Sequence, residues 1–171
     1  MSTSASPSTR RPNQLSRTVA KLQGLPVIGS WATSFVLGRV VPLVGTAGLR
    51  YEVIGPERVV VRIRNQRKVQ NHIKGVHAAA MALLAETATG FCVGMNLPDD
   101  KLPLIKTMKI DYVRRSQGDM RAEASLRPEQ IAQILSQDKG EVVVPVTITD
   151  ASGESPIQAE MTWAWVPKKR A

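Results

Sequence analysis

Cysteine is almost absent from this chain: Cys92 stands alone, so no internal disulfide can form. Histidine is nearly as scarce, and His72 and His77 with one thiol cannot supply the usual ligand set of a structural zinc site. A reducing compartment is therefore acceptable. Aromatic residues make up only 4% of the sequence and do not interleave with the basic stretches, so no platform for stacking nucleic-acid bases is apparent. Acids are missing at the front, where none precedes Glu52. Residues 1 to 75 hold 12 Lys and Arg against Glu52 and Glu57, and residues 76 to 171 hold 11 against 12, so the excess behind the formal charge of +9 lies in the first half. Such a surface attracts nucleic acid, an acidic membrane or a phosphorylated small ligand without choosing among them. A long apolar run is missing too. The stretch "VIGSWATSFVLGRVVPLVG", 27 to 45, is interrupted by Arg39, Pro42 and several Ser, Thr and Gly before it reaches the ~20 residues of a membrane span.

What is present fits one domain behind a tail. Residues 1–24 are rich in Ser, Thr and Arg, lack an apolar signal region, and read as a flexible basic tail. The same composition overlaps that of an organellar import sequence, so the expectation is a cytoplasmic protein with import as the alternative. Residues 25–171 form the predicted domain. Ile28, Trp31 and Phe35 recur at helical spacing and predict an amphipathic helix laid on the core, ending near Pro42. The period then changes to two: Leu49, Tyr51 and Val53, then Val59, Val61 and Ile63, alternate with charged residues on either side of Gly55-Pro56. That pattern predicts a hairpin with one buried face and a stripe of Arg58, Arg62 and Arg64 outside. A polar loop follows, then a long Ala/Leu/Met helix from 76 to about 93. Strands fit 106–115 and 118–126, Pro128 opens a short helix, and two further strands end the chain, the first carrying Pro145 at an edge or bulge. An antiparallel sheet folded around one central helix satisfies this α+β order.

Within that long helix stands one acid, Glu86, among Ala82, Leu83, Leu84, Ala85, Ala88, Phe91 and Val93. Its neighbours leave little polar arc, which predicts a carboxylate withdrawn from water and suited to act as general base or nucleophile. His77 lies nine residues earlier, about 13.5 Å along the helix axis and half a turn from alignment. The two cannot meet within one chain. If they cooperate, the helix must lie antiparallel to that of a second copy, which predicts a dimer with two shared sites. Free amides of Val76 to Ala79 at the helix start would hold a developing oxyanion, with Asn71 and His77 orienting the loop and the carbonyl.

Asn71, His77 and Glu86, spaced six and nine apart, resemble the loop and central-helix signature of hotdog-fold acyl-CoA thioesterases of the phenylacetate-degradation and 4-hydroxybenzoyl type. The likeness spans about residues 48 to 166 and extends to "MKIDYVRRSQGD". The leading helix and the 128–137 helix resemble a less characterised hotdog branch, known only as a domain of unknown function. The resemblance implies a hotdog fold, with an antiparallel sheet wrapped around a central long helix and an extra N-terminal helix. It also implies hydrolysis of an acyl-CoA to acid and CoA, with Asn71, His77 and the Ala78 amide from one subunit and Glu86 from the other. Where the family commonly has Gly-Gly after the His, this chain has Ala78-Ala79, whose Cβ atoms crowd the carbonyl's approach.

Thr107 is a further candidate to bond Glu86 or the attacking water, and Arg62, Arg64, Lys68 and Lys74 are candidates for the CoA phosphates. Thr87, Thr89, Trp163, Trp165 and Cys92 read as packing residues, and His72 as a solvated loop residue. The expected partners are an acyl-CoA substrate and further copies of the chain, as a homodimer or a homotetramer built as a dimer of dimers. No nucleic acid, metal, separate cofactor or membrane span is expected. The alternative function is a non-catalytic acyl-CoA binding module on the same fold. Hotdog dehydratases use other His and acid spacings that are not found in this chain.

Overall fold

A computed structural model describes residues 12–25 and 28–169. The long helix, α4 (Ala78–Gly94), forms where Ala, Leu and Met keep the backbone helical at little entropic cost, and it buries Met81, Leu84, Ala85, Ala88, Cys92 and Val93. Around it wrap seven antiparallel strands. One sheet has the order β1 (Arg50–Ile54), β2 (Arg58–Ile63), β4 (Met120–Ser125), β6 (Val146–Asp150); the other runs β3 (Lys101–Tyr112), β7 (Ile157–Pro167), β5 (Gly140–Val144). Pro145 separates β5 from β6. Lacking an N–H it cannot continue the ladder, so the strand turns from one sheet into the other, and its carbonyl accepts from the Ser125 amide at 3.1 Å. Helix α4 packs against β2 through β7. This is the hotdog arrangement, and α5 (Pro128–Ser136) adds a short helix before β5.

At the front of the chain the structure departs from expectation. Residues 14–23, placed by composition in the tail, form helix α1 (Gln14–Gln23) docked on the body. Asn13 explains why: its Oδ1 caps α1 by accepting from Ser16, while its Nδ2 donates to the carbonyls of Gly94, the last residue of α4, and Leu97 just after it. Val19 is then buried. Residues 1–11 of the expected tail lie outside the described residues.

Helix α2 (Gly29–Val40) is found where predicted but faces the other way. Ile28, Trp31 and Phe35, expected on the core, are about half exposed, and the buried side is Gly29, Ala32, Thr33, Ser34 and Leu37. Close packing demands small residues there, because Ser34 Oγ accepts from the Tyr51 amide of β1 at 2.9 Å. Pro42 opens a second helix, α3 (Pro42–Ala47), which crosses α2 so tightly that a Cβ on Gly45 would collide with the Gly38 carbonyl. In β1 a bulge between Tyr51 and Val53 turns Val53 outward and brings Ile54 into the core. Among the described residues, no helix is long and apolar enough to cross a membrane.

Candidate functional site

His77 is the N-cap of α4. Its backbone is extended, with ψ 144°, and its Nδ1 accepts from the Ala79 amide at 3.0 Å. Accepting on Nδ1 leaves the ring proton on Nε2, which points away from the helix that it caps. The His77 carbonyl accepts from the amides of Ala80 and Met81. Of the first helical amides, only that of Ala78 is then without a protein acceptor. Of the amides of Val76 to Ala79 expected to be free, that of His77 donates to the Val69 carbonyl and that of Ala79 to the His77 ring, which leaves Ala78 as the open donor within the helix. Sequence alone could not foresee this, because it depends on a histidine acting as the cap.

Asn71 organises the loop before the helix: its Oδ1 accepts from Ile73 and Gly75, and its own amide donates to the Gly75 carbonyl. Tyr112, at the end of β3, donates to the Ala78 carbonyl at 3.0 Å and so ties that strand to the helix start. Two cavities flank this point. One, of about 750 Å³, is lined by Asn71, Lys74, Ala78, Tyr112, Arg114 and Arg115; the other, of about 280 Å³, by Leu43, Lys68, His77, Ala79, Ala80 and Leu83.

Glu86 lies elsewhere. It opens into a third cavity of about 210 Å³ whose other walls are mainly apolar, from Leu15, Val41, Val44, Phe91, Pro103 and Trp163. Burial raises its carboxyl above the usual glutamate range, and a long contact from the Thr87 hydroxyl, 3.5 Å, only partly offsets this. Trp163 is both core and cavity wall, held by donation from Nε1 to Thr89 Oγ1 at 2.9 Å. Eight residues separate Ala78 from Glu86, about 12 Å of helix rise. One chain therefore does not bring the acid to the free amide. The axial separation expected from the sequence is kept, whereas the half-turn rotation presumed a helical His77, which is instead the extended cap.

The remaining candidates scatter. Thr107 is exposed on β3, just past a bulge at residues 105–107, and makes no hydrogen bond to Glu86. Arg62 bonds Asp119 at 2.7 Å, and Arg64 is an exposed neighbour of the same acid. Lys68 and Lys74 stand at separate cavities. The four cations thus do not form one cluster. Missed by sequence reading are Tyr112, Arg115 and Tyr51. Tyr51 is buried with its hydroxyl unpaired, packs edge-on to Phe91 at 5.0 Å, and has its ionisation pushed up by burial and by Glu86. Cys92 is buried and its thiol is pushed up to about 12, which fits a packing role.

A family model described as a domain of unknown function, DUF4442, matches residues 29–166. No curated protein matches the sequence. Among solved structures, a Pseudomonas aeruginosa protein of unknown function that is called a probable thioesterase is 26% identical, with 79% of this chain covering 93% of that one at a TM-score of 0.72. A thioesterase enzyme from Staphylococcus aureus, in a mutant form, is 19% identical over 74% of this chain and 99% of its own, with a TM-score of 0.64. A Haemophilus influenzae thioesterase is 12% identical over 78% and 90%, with a TM-score of 0.62. The last two share the fold.

Proposed function

The chain belongs to the DUF4442 family, and from that premise we propose that it is an acyl-CoA thioesterase whose site is completed by a second copy. The observation that carries the reading is the free helix-start amide of Ala78, next to the His77 ring, with Glu86, an acid whose carboxyl is raised by burial, about 12 Å away along the same helix. Two such helices lying antiparallel would set each amide against the acid of the other copy. The outer edge of β3 supports the pairing: among the described residues no strand pairs with it, and β3 exposes Leu102, Leu104, Ile105, Met108 and Tyr112. The names of the neighbouring structures support the reaction class.

In this reading the thioester carbonyl oxygen accepts from the Ala78 amide. Glu86 of the partner subunit takes a proton from water as the water oxygen attacks the carbonyl carbon, and the oxyanion of the tetrahedral intermediate rests on that amide. Collapse breaks the C–S bond, and the proton held by the acid passes to the departing thiolate. The acyl chain lies in the apolar cavity beside Glu86. Lys74 and Arg115, at the larger cavity, receive CoA phosphates. Ala78 and Ala79 narrow the approach relative to Gly-Gly without removing the donor.

Thiol release from short, long and aromatic acyl-CoAs tests the reading, with Glu86→Gln as control. Turnover by the wild type and its loss in the variant, with binding kept, support hydrolysis. Binding without thiol release would instead leave the chain an acyl-CoA binding module.

A further inference from the structure

The outward face of the front helices has no role in the chemistry above. Ile28, Trp31 and Phe35 of the α2 face are 51%, 56% and 50% exposed, and Val40 and Leu43 carry the patch across the α2–α3 corner. The Trp31 and Phe35 rings stack at 5.5 Å with 11° between planes, and the Arg39 guanidinium sits 5.6 Å from the Phe35 centroid. Two of the chain's few aromatic side chains are thus presented to the outside on a helix whose inner side is already packed.

Charge narrows what covers them. Residues 1 to 51 contain six Lys and Arg and no acid. Among the described residues of this stretch only Arg17 has an ion pair, to Asp99, so Lys21, Arg39 and Arg50 remain exposed without a carboxylate partner. A second copy on this face would set the same cations against each other, because a two-fold contact is made by one patch on both sides. Exposed Trp, Phe and aliphatic side chains edged by Arg39 and Arg50, neither held by a carboxylate, are instead the make-up of a surface that rests at the headgroup level of a bilayer. The patch also adjoins the site. Val41 and Val44 line the Glu86 cavity, and Leu43 belongs both to the patch and to the His77 cavity.

We propose that the α2–α3 face docks the protein on anionic phospholipid bilayers, with Trp31 and Phe35 among the headgroups and Arg39 and Arg50, which line one hollow with Phe35, on lipid phosphates. The docking stands independently of the proposed hydrolysis.

Vesicle flotation with the full chain tests it, using phosphatidylcholine alone or mixed with phosphatidylglycerol, alongside Trp emission. Trp163 and Trp165 are buried, so a blue shift on lipid reports Trp31. The expected result is co-flotation with the anionic vesicles, a blue shift, and weakening by salt. The Trp31→Ser/Phe35→Ser variant keeps Arg10 and Arg11, should melt like the wild type, and should lose recovery about tenfold. No flotation of the wild type, equal recovery of wild type and variant, or equal recovery with both vesicle types overturns the proposal. So does a variant that only changes the oligomer size by light scattering, which would mean that another copy covers the face.

Discussion

Trp163 lies against Gly90 so closely that a Cβ at Gly90 would overlap the six-membered part of the indole. Gly90 is one turn after Glu86, and the same indole walls the Glu86 cavity. Helix and sheet thus meet at the acid through a residue with no side chain. Gly90→Ala should lower stability by about 1–3 kcal/mol from overpacking. This outweighs the gain of up to about 1 kcal/mol that Ala brings to a helix. Urea unfolding reads the sign, and a higher midpoint would mean that the indole is not pinned there.

The Ala78 amide can be removed alone. Ala78 is the first helical residue, where proline is tolerated, and His77 before it is already extended. Ala78→Pro should therefore keep the melting temperature within a few degrees while lowering kcat by about 10²–10³, the usual loss for one oxyanion donor. Steady-state kinetics beside a CD melt distinguish this from misfolding. Retained activity would remove the amide from the mechanism.

Glu86 makes stability depend on pH. Burial raises its carboxyl in the folded chain above the ordinary 4.5, so the folded state holds a proton that the unfolded chain has already released. The associated stability is complete below 4.5 and is lost as pH rises through the folded value. Glu86→Gln should match the wild type in acid and become the more stable protein toward neutral pH. Denaturant midpoints at several pH values check this, and a wild type that gains on the variant as pH rises would contradict the burial account.

Tyr51 offers a test of packing beside the acid. Its buried hydroxyl has no hydrogen-bond partner, so Tyr51→Phe should change stability by less than about 0.5 kcal/mol or raise it. A loss of about 1–3 kcal/mol would show that the hydroxyl is bonded in solution.

The sequence made some of this legible and hid the rest for physical reasons. Composition located α4, and alternation located β2, because each signal is local and strong. Pro145 was read as an edge or bulge within one strand, whereas it splits that segment into β5 and β6 of different sheets, because its missing N–H interrupts the ladder. Periodicity found α2 but not its orientation: an apolar stripe does not say whether it meets the core or the outside, and small residues won the contact with β1. Helix α1 was lost because its dock depends on Asn13 reaching carbonyls more than 80 residues away. At the site, the spacing of His77 and Glu86 already separated them. That Ala78 carries the one free amide emerged only with the cap geometry, and the cations proposed for CoA were scattered by contacts such as Arg62 with Asp119.

The central claim is that one copy supplies the acid and the other the amide. Glu86→Gln and Ala78→Pro, each expected to be inactive alone, should be mixed after unfolding and refolded together. In a shared site, half of the dimers would be mixed and each would hold one intact pair, so activity should return to about a quarter of the wild-type level. Activity no higher than that of the separate variants would place both groups in one chain's site and contradict the account.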